Sequence, residues 1–164
     1  MKWILPLWGL LAVWPGAAPA QDGGRSTSDL SYEMHIDSDK RFKCLYGYAA
    51  SKTGDHASAV RIFEDCIRRW NDVYSMIWLS ELYESGLGVP KDPQAATDLM
   101  RRGAEQNDEA GYSVLARYHY GVALYEGHGV AKDTEAGLRW LRRAAAEGLP
   151  DAQAYLDRLG APAN

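Results

Sequence analysis

LYESGLGVPKD, residues 82–92, returns as LYEGHGVAKD, residues 124–133. In each copy two glycines flank one variable residue: Gly86 and Gly88 around Leu87, Gly127 and Gly129 around His128. Glycine accepts the left-handed backbone that ends a helix, so each copy reads as a helix stop. Val89 and Val130 follow as small apolar plugs, and Asp92 and Asp133 stand where a next helix would begin. Aspartate accepts hydrogen bonds from the unpaired N–H groups of a first turn, and Pro93 suits the first helical position. A stop, a plug and a start within so few residues join two antiparallel helices into a hairpin.

The similarity runs past the loop. From Gly86 to Gly127 is 41 residues, and that offset also relates Lys91-Asp92 to Lys132-Asp133, Ala95 to Ala136, Leu99 to Trp140, and Arg101-Arg102 to Arg142-Arg143. A fixed period of this size marks stacked repeats. One hairpin cannot bury its own apolar face, and stacked neighbours can. The flanking segments are helical in pattern. AVRIFEDCIRRW places Ala59, Ile62, Phe63, Cys66, Ile67 and Trp70 on one stripe, and AATDLMRRGA and AGLRWLRRAAAEG repeat the pattern. Arg61, Arg68, Arg101, Arg139 and Arg142 fall on the opposite, solvated faces. Strand signals are nearly absent, so the expected fold is all-α, with Phe63, Tyr83 and Trp140 in its core.

These residues resemble the Sel1-like repeat family, a relative of the tetratricopeptide repeats. Ser75, Leu79, Ser80, Tyr83, Gly86, Gly88, Val89, Asp92 and Ala95 follow the order of its unit, with Ser75 and Ser80 replacing a small Ala and a Gly. Gly127, Gly129, Val130, Asp133, Ala136, Trp140, Ala144, Ala145 and Gly148 follow it again. Tyr125 stands two residues before Gly127, whereas Tyr83 stands three before Gly86. One residue therefore looks missing, and the register of the helix before Gly127 stays open. An earlier segment, YGYAASKTGDHASAVRIFEDC, is similar to a tetratricopeptide unit through Gly47, Gly54, Asp55, Ala59, Phe63 and Cys66. The resemblance implies a short right-handed α-solenoid of antiparallel hairpins in residues 39–160. Its units are expected at about 41–71, 72–107 and 108–148, with a capping helix at 150–159.

The front of the chain has another character. MKWILPLWGLLAVWPGAAPA has one basic residue, an apolar run and a small-residue end at Ala18-Pro19-Ala20. That is the order of a secretory signal peptide, with cleavage expected after Ala20. The run falls short of the ~20 residues of a membrane-spanning helix, although an uncleaved anchor is the alternative. Residues 21–38 are polar, aperiodic and rich in Gly, Ser and Asp, and read as a flexible tail. The whole chain carries 18 Lys+Arg against 22 Asp+Glu, a net charge of −4. This mild acidity speaks against a nucleic-acid partner, which calls for a basic face. No second long apolar run follows, so no membrane insertion is expected after cleavage. A bacterial member would be periplasmic or secreted. In an oxidising compartment the only two cysteines, Cys44 and Cys66, are most simply a disulfide, with two buried thiols as the alternative.

No catalytic set emerges. His35, His56, His119 and His128 are scattered, no serine or cysteine nucleophile has a histidine near it in sequence, and neither glycine loop is a phosphate-binding fingerprint. His128 matches Leu87 of the sister loop and reads as a solvent-facing residue. No cofactor or metal is expected, and the chain is not read as an enzyme. What remains is surface. Such a solenoid has a concave face lined by the first helix of each hairpin. Placing these helices on the family template turns Tyr48, Tyr74, Ile77 and Glu81 toward that face, joined by Tyr118 or His119 depending on the register. The function this implies is non-catalytic binding of another protein in the cell envelope. The alternative within the same class is a periplasmic immunity protein that occludes a secreted toxin such as a lipase effector. A remote alternative is a secreted β-lactam-binding or hydrolytic protein, which would show a deep polar pocket, with His119 the place to look for one.

Overall fold

The computed structural model describes residues 31–161, so the expected signal peptide and most of the expected tail lie outside it. A short 3-10 turn, Tyr32–His35, leads into α1 (Lys43–Lys52), α2 (His56–Trp70), α3 (Val73–Ser85), α4 (Pro93–Ala104), α5 (Tyr112–Glu126), α6 (Thr134–Ala146) and α7 (Pro150–Arg158). No strand occurs among the described residues. Helices pack on their chain neighbours: α1 on α2, α3 on α4 and α5 on α6 as hairpins, then hairpin on hairpin through α2–α3 and α4–α5, with α7 closing on α6. The first helices also meet directly, α1 with α3 and α3 with α5. This is an all-α solenoid. No described helix is long and apolar enough to cross a membrane.

Sequence dictates which helix lies where. α2, α4 and α6 are strongly one-sided, with an apolar stripe inward and arginines outward. α1, α3 and α5 lack that asymmetry, because they are flanked by protein on more than one side and also line the inner face. One core runs through the stack, from Ala50, Ala59 and Phe63 through Met76 and Leu79 to Met100, Ala104 and Ala116. Phe63 is fully buried, but Tyr83 and Trp140, also expected in the core, are only half buried at its edge.

The repeated loop performs two tasks. Gly86 and Gly127 end α3 and α5 in the left-handed region, at φ 72° and 79°. The second glycine of each copy allows close contact with the preceding repeat. A Cβ on Gly88 would stand 2.7 Å from the His56 carbonyl oxygen, and one on Gly129 would stand 2.1 Å from that of Pro93. His56 and Pro93 are the first residues of α2 and α4, so each loop sits on the start of the previous second helix. Thr97 donates its hydroxyl to the His128 carbonyl at 3.0 Å and fixes the second loop there. Val89 and Val130 are half buried beneath the loops. Asp92 and Asp133 accept from the Ala95 and Ala136 N–H groups at 3.0 and 2.9 Å, capping α4 and α6.

Hydrogen bonds settle the register before Gly127. The Gly86 and Leu87 N–H groups donate to Leu82 and Asp92 donates to Tyr83; the Gly127 and His128 groups donate to Ala123 and Asp133 donates to Leu124. The offset of 41 therefore continues into the helix, Leu124 replaces Tyr83, and no residue is missing. The matching LYE triplets that suggested a deletion are one position out of structural register.

The N-terminal unit corrects the expectation of a tail over residues 21–38. Its last part is ordered: Ile36 is buried, and His35 stacks on Tyr46 with ring centroids 3.9 Å apart. Ile36 packs with Cys44, Ile62 and Cys66 in a small second core. The physical cause is the fully buried Lys43, whose ammonium needs acceptors. It donates to the Ile36 carbonyl at 2.7 Å and pairs with Asp65, which also takes Arg68 and Arg69. Burial and then the Arg69 charge lower the Lys43 pKa, while Asp37 and Asp39 work against them. Cys44 and Cys66 form a disulfide between α1 and α2, with Cα atoms 6.0 Å apart.

Candidate functional site: the groove between α3 and α5

The first helices of the second and third hairpins leave a groove between them, with α4 as its floor. Its volume is about 340 Å³. Ile77, Ala96, Met100, Val122 and Ala123 give it an apolar interior, and Glu81, Glu84, Glu126, His119 and His128 stand around it with Ser80 and Thr97. The helical steps 77, 81 and 84 on α3 and 119, 122, 123 and 126 on α5 put these residues on facing sides. No Lys or Arg lines it.

Several of these polar groups already have partners. Ser80 donates its hydroxyl to the Ile77 carbonyl at 2.7 Å, as Thr97 does to His128. Both groove hydroxyls are thus donated to backbone carbonyls, and neither Ser80 nor Thr97 is bonded to a histidine ring. His128 Nε2 lies 2.9 Å from both Glu84 oxygens. It is exposed as expected, yet it ties the second loop to α3 across the repeat boundary. Glu126 accepts from the Tyr155 hydroxyl at 2.7 Å. Burial, then the Glu126 contact, pushes the Tyr155 pKa up to about 12. His119 is solvent-accessible but recessed. The protein crowding it lowers its pKa below the usual histidine value, with Asp151 and Glu81 pulling the other way. The groove around it has an apolar floor with a carboxylate rim. Among the described residues no group of three or more His, Cys, Asp or Glu side chains could hold a metal ion.

The residues singled out from the sequence fall in three places. Ile77, Glu81 and His119 come together in the groove. Tyr48 and Tyr74 lie outside it, in an aromatic row that runs Tyr48–Trp78–Tyr74–Tyr112, with successive ring centroids 4.6, 6.2 and 5.2 Å apart. Lys52 stands over Trp78 at 4.8 Å. Burial, then the neighbouring Tyr112 and Tyr48, raises the Tyr74 pKa to about 12. Tyr118 is in neither place. The register makes it the counterpart of Ile77 one repeat on, and there Tyr155 of α7 packs against it at 6.1 Å. Glu84, Val122, Glu126 and His128 were missed. Helical spacing from Ile77 could have found Glu84, whereas the other three needed the register. A larger recess of about 640 Å³ lies at the loop edge near Asn71 and Asp108. Two of its three acids are engaged in structure: Asp72 caps α3 and pairs with Arg41, and Asp108 holds the start of α5.

Residues 73–108 and 114–149 each match the family model of the Sel1 repeat. The chain is also similar to a Sel1 repeat protein from Oxalobacter formigenes whose crystal structure is known. The two are 26% identical with a TM-score of 0.61, over 74% of this chain and 49% of the other, so this chain spans about half the length of that protein. None of the curated proteins matches it.

Proposed function

The chain is a Sel1-like repeat protein, and we propose that it is a non-catalytic scaffold or adaptor of the bacterial cell envelope that binds a partner through its inner groove. Sel1 repeats are in general protein–protein interaction modules. The observation that carries the choice of surface is the apolar interior of the α3–α5 groove, left open between two helices of a rigid stack. Apolar area ringed by polar groups on a frame that need not rearrange is what a binding surface requires. Exported location rests on the leader-like sequence of residues 1–20 and on the bonded cysteine pair.

A pull-down from a periplasmic fraction, with the oxidised protein as bait, tests this reading. Val122→Arg, which fills the groove with a bulky charge, serves as the control. Capture of one dominant protein by the native chain and its loss in the variant is the expected result. Capture that survives Val122→Arg moves binding away from the groove. If the captured protein is a hydrolytic toxin, the role is immunity rather than envelope assembly.

A further inference from the structure

We infer that the α3–α5 groove takes a lysine or arginine side chain from an extended segment of the partner, with an apolar or aromatic residue of the same segment on the Tyr74–Tyr112 pair. The inference rests on the groove reading above and adds the chemistry of the occupant. Glu81, Glu84 and Glu126 rim the groove; His128 contacts Glu84 and the Tyr155 hydroxyl donates to Glu126, but neither Lys nor Arg lines the groove to balance the three carboxylates. Asp151, at the start of α7, adds its field at His119. Outer-face cations are used locally, as in the Arg101 pairs with Asp98 and Glu105 and the Arg139 pair with Glu135. An apolar trough ending in carboxylates matches the two parts of a lysine or arginine, an aliphatic stem and a cationic head. The volume of about 340 Å³ sits at the small end of the ~300–1,000 Å³ range of ligand pockets, which suits one long side chain.

Spacing fixes the second contact. Tyr74 stands about two turns before Glu81 on α3 and packs on the exposed Tyr112. At ~1.5 Å per helical residue, the stretch from Tyr74 to the Glu81–Glu84 pair measures roughly 10–15 Å. An extended chain crosses that distance in about three or four residues at ~3.5 Å each. The expected motif is therefore an apolar or aromatic residue three or four positions from a lysine or arginine.

A randomised synthetic peptide library selected on the oxidised protein tests this. The selected sequences should carry a cation with an apolar residue three or four positions away. Their binding should weaken about tenfold in Glu81→Gln/Glu126→Gln, whose neutral amides keep the shape of the carboxylates. A matching thermal midpoint would confirm that this variant folds. Peptides without a cation, peptides unaffected by the double variant, or no selected peptide at all would overturn the inference. The groove reading has a separate control. Cation-free peptides that lose binding in Val122→Arg would leave the groove as the site, whereas peptides indifferent to Val122→Arg would remove both.

Discussion

At the scale of single residues, positions with little outward signal do much of the positioning. Arg117 is almost wholly buried, and its guanidinium donates to the Ala104 carbonyl at 3.0 Å and to Asn107 Oδ1 at 2.8 Å, as well as to the Gln106 carbonyl and Glu147. It pins the α4–α5 connection and the end of α6 from within α5. Replacing it with methionine would leave buried carbonyls unpaired, and a loss of about 3 kcal/mol in urea unfolding is expected. The second loop glycines should behave differently from an open one. Gly129→Ala drives a Cβ into Pro93 at a positive φ and should cost more than ~2 kcal/mol, whereas Gly54→Ala, also at positive φ but with nothing within 4 Å, should cost about 1 kcal/mol. Asp108 supplies a pH signature. Partial burial raises its pKa, but the Ser113 hydroxyl and the Ser113, Tyr112 and Ala110 N–H groups outweigh that and leave it below the usual aspartate value. Its contribution is complete above the ordinary carboxylate range of about 4 and is lost as pH falls through the lowered folded pKa. Asp108→Asn should therefore flatten the acid limb of a stability–pH curve measured by thermal unfolding.

At the scale of elements, the hairpin is the unit, and the N-terminal one is stapled. The Cys44–Cys66 bridge closes a separation of 22 residues, worth about 3 kcal/mol in the chain-entropy account. Cys44→Ser/Cys66→Ser should lose that amount in chemical unfolding. In hydrogen exchange it should speed α1 and α2 more than α5 and α6. Much of this level was legible in the sequence. The paired glycines, the aspartate caps and the period of 41 name hairpins directly, because helix ends have few chemical solutions. The register before Gly127 was not legible, since the LYE triplets align by letters while the hydrogen bonds align Leu124 with Tyr83. Order in residues 31–38 escaped for another reason: a polar, aperiodic segment is held by one buried lysine from α1, and nothing local announces it. Arg117 escaped likewise, because most of its partners are backbone carbonyls or distant in sequence.

At the scale of the whole molecule, repeats in register make the inner groove a property of two helices rather than one. Ile77 and Glu81 read as inner-face residues from one repeat alone, but Val122, Glu126 and His128 join them only when the third hairpin stacks on the second. The Glu84–His128 contact and the Thr97–His128 hydrogen bond cross that same boundary, so the site and the stacking share their supports. The most direct measurement is photo-crosslinking in the producing cell. A benzophenone amino acid would be placed at Val122 in the groove and, in a second strain, at Arg139 on the outer face of α6. One discrete adduct from position 122 and none from position 139 is the predicted result. Equal adducts from both positions, or an adduct from position 139 alone, would contradict the claim that the inner groove holds the partner.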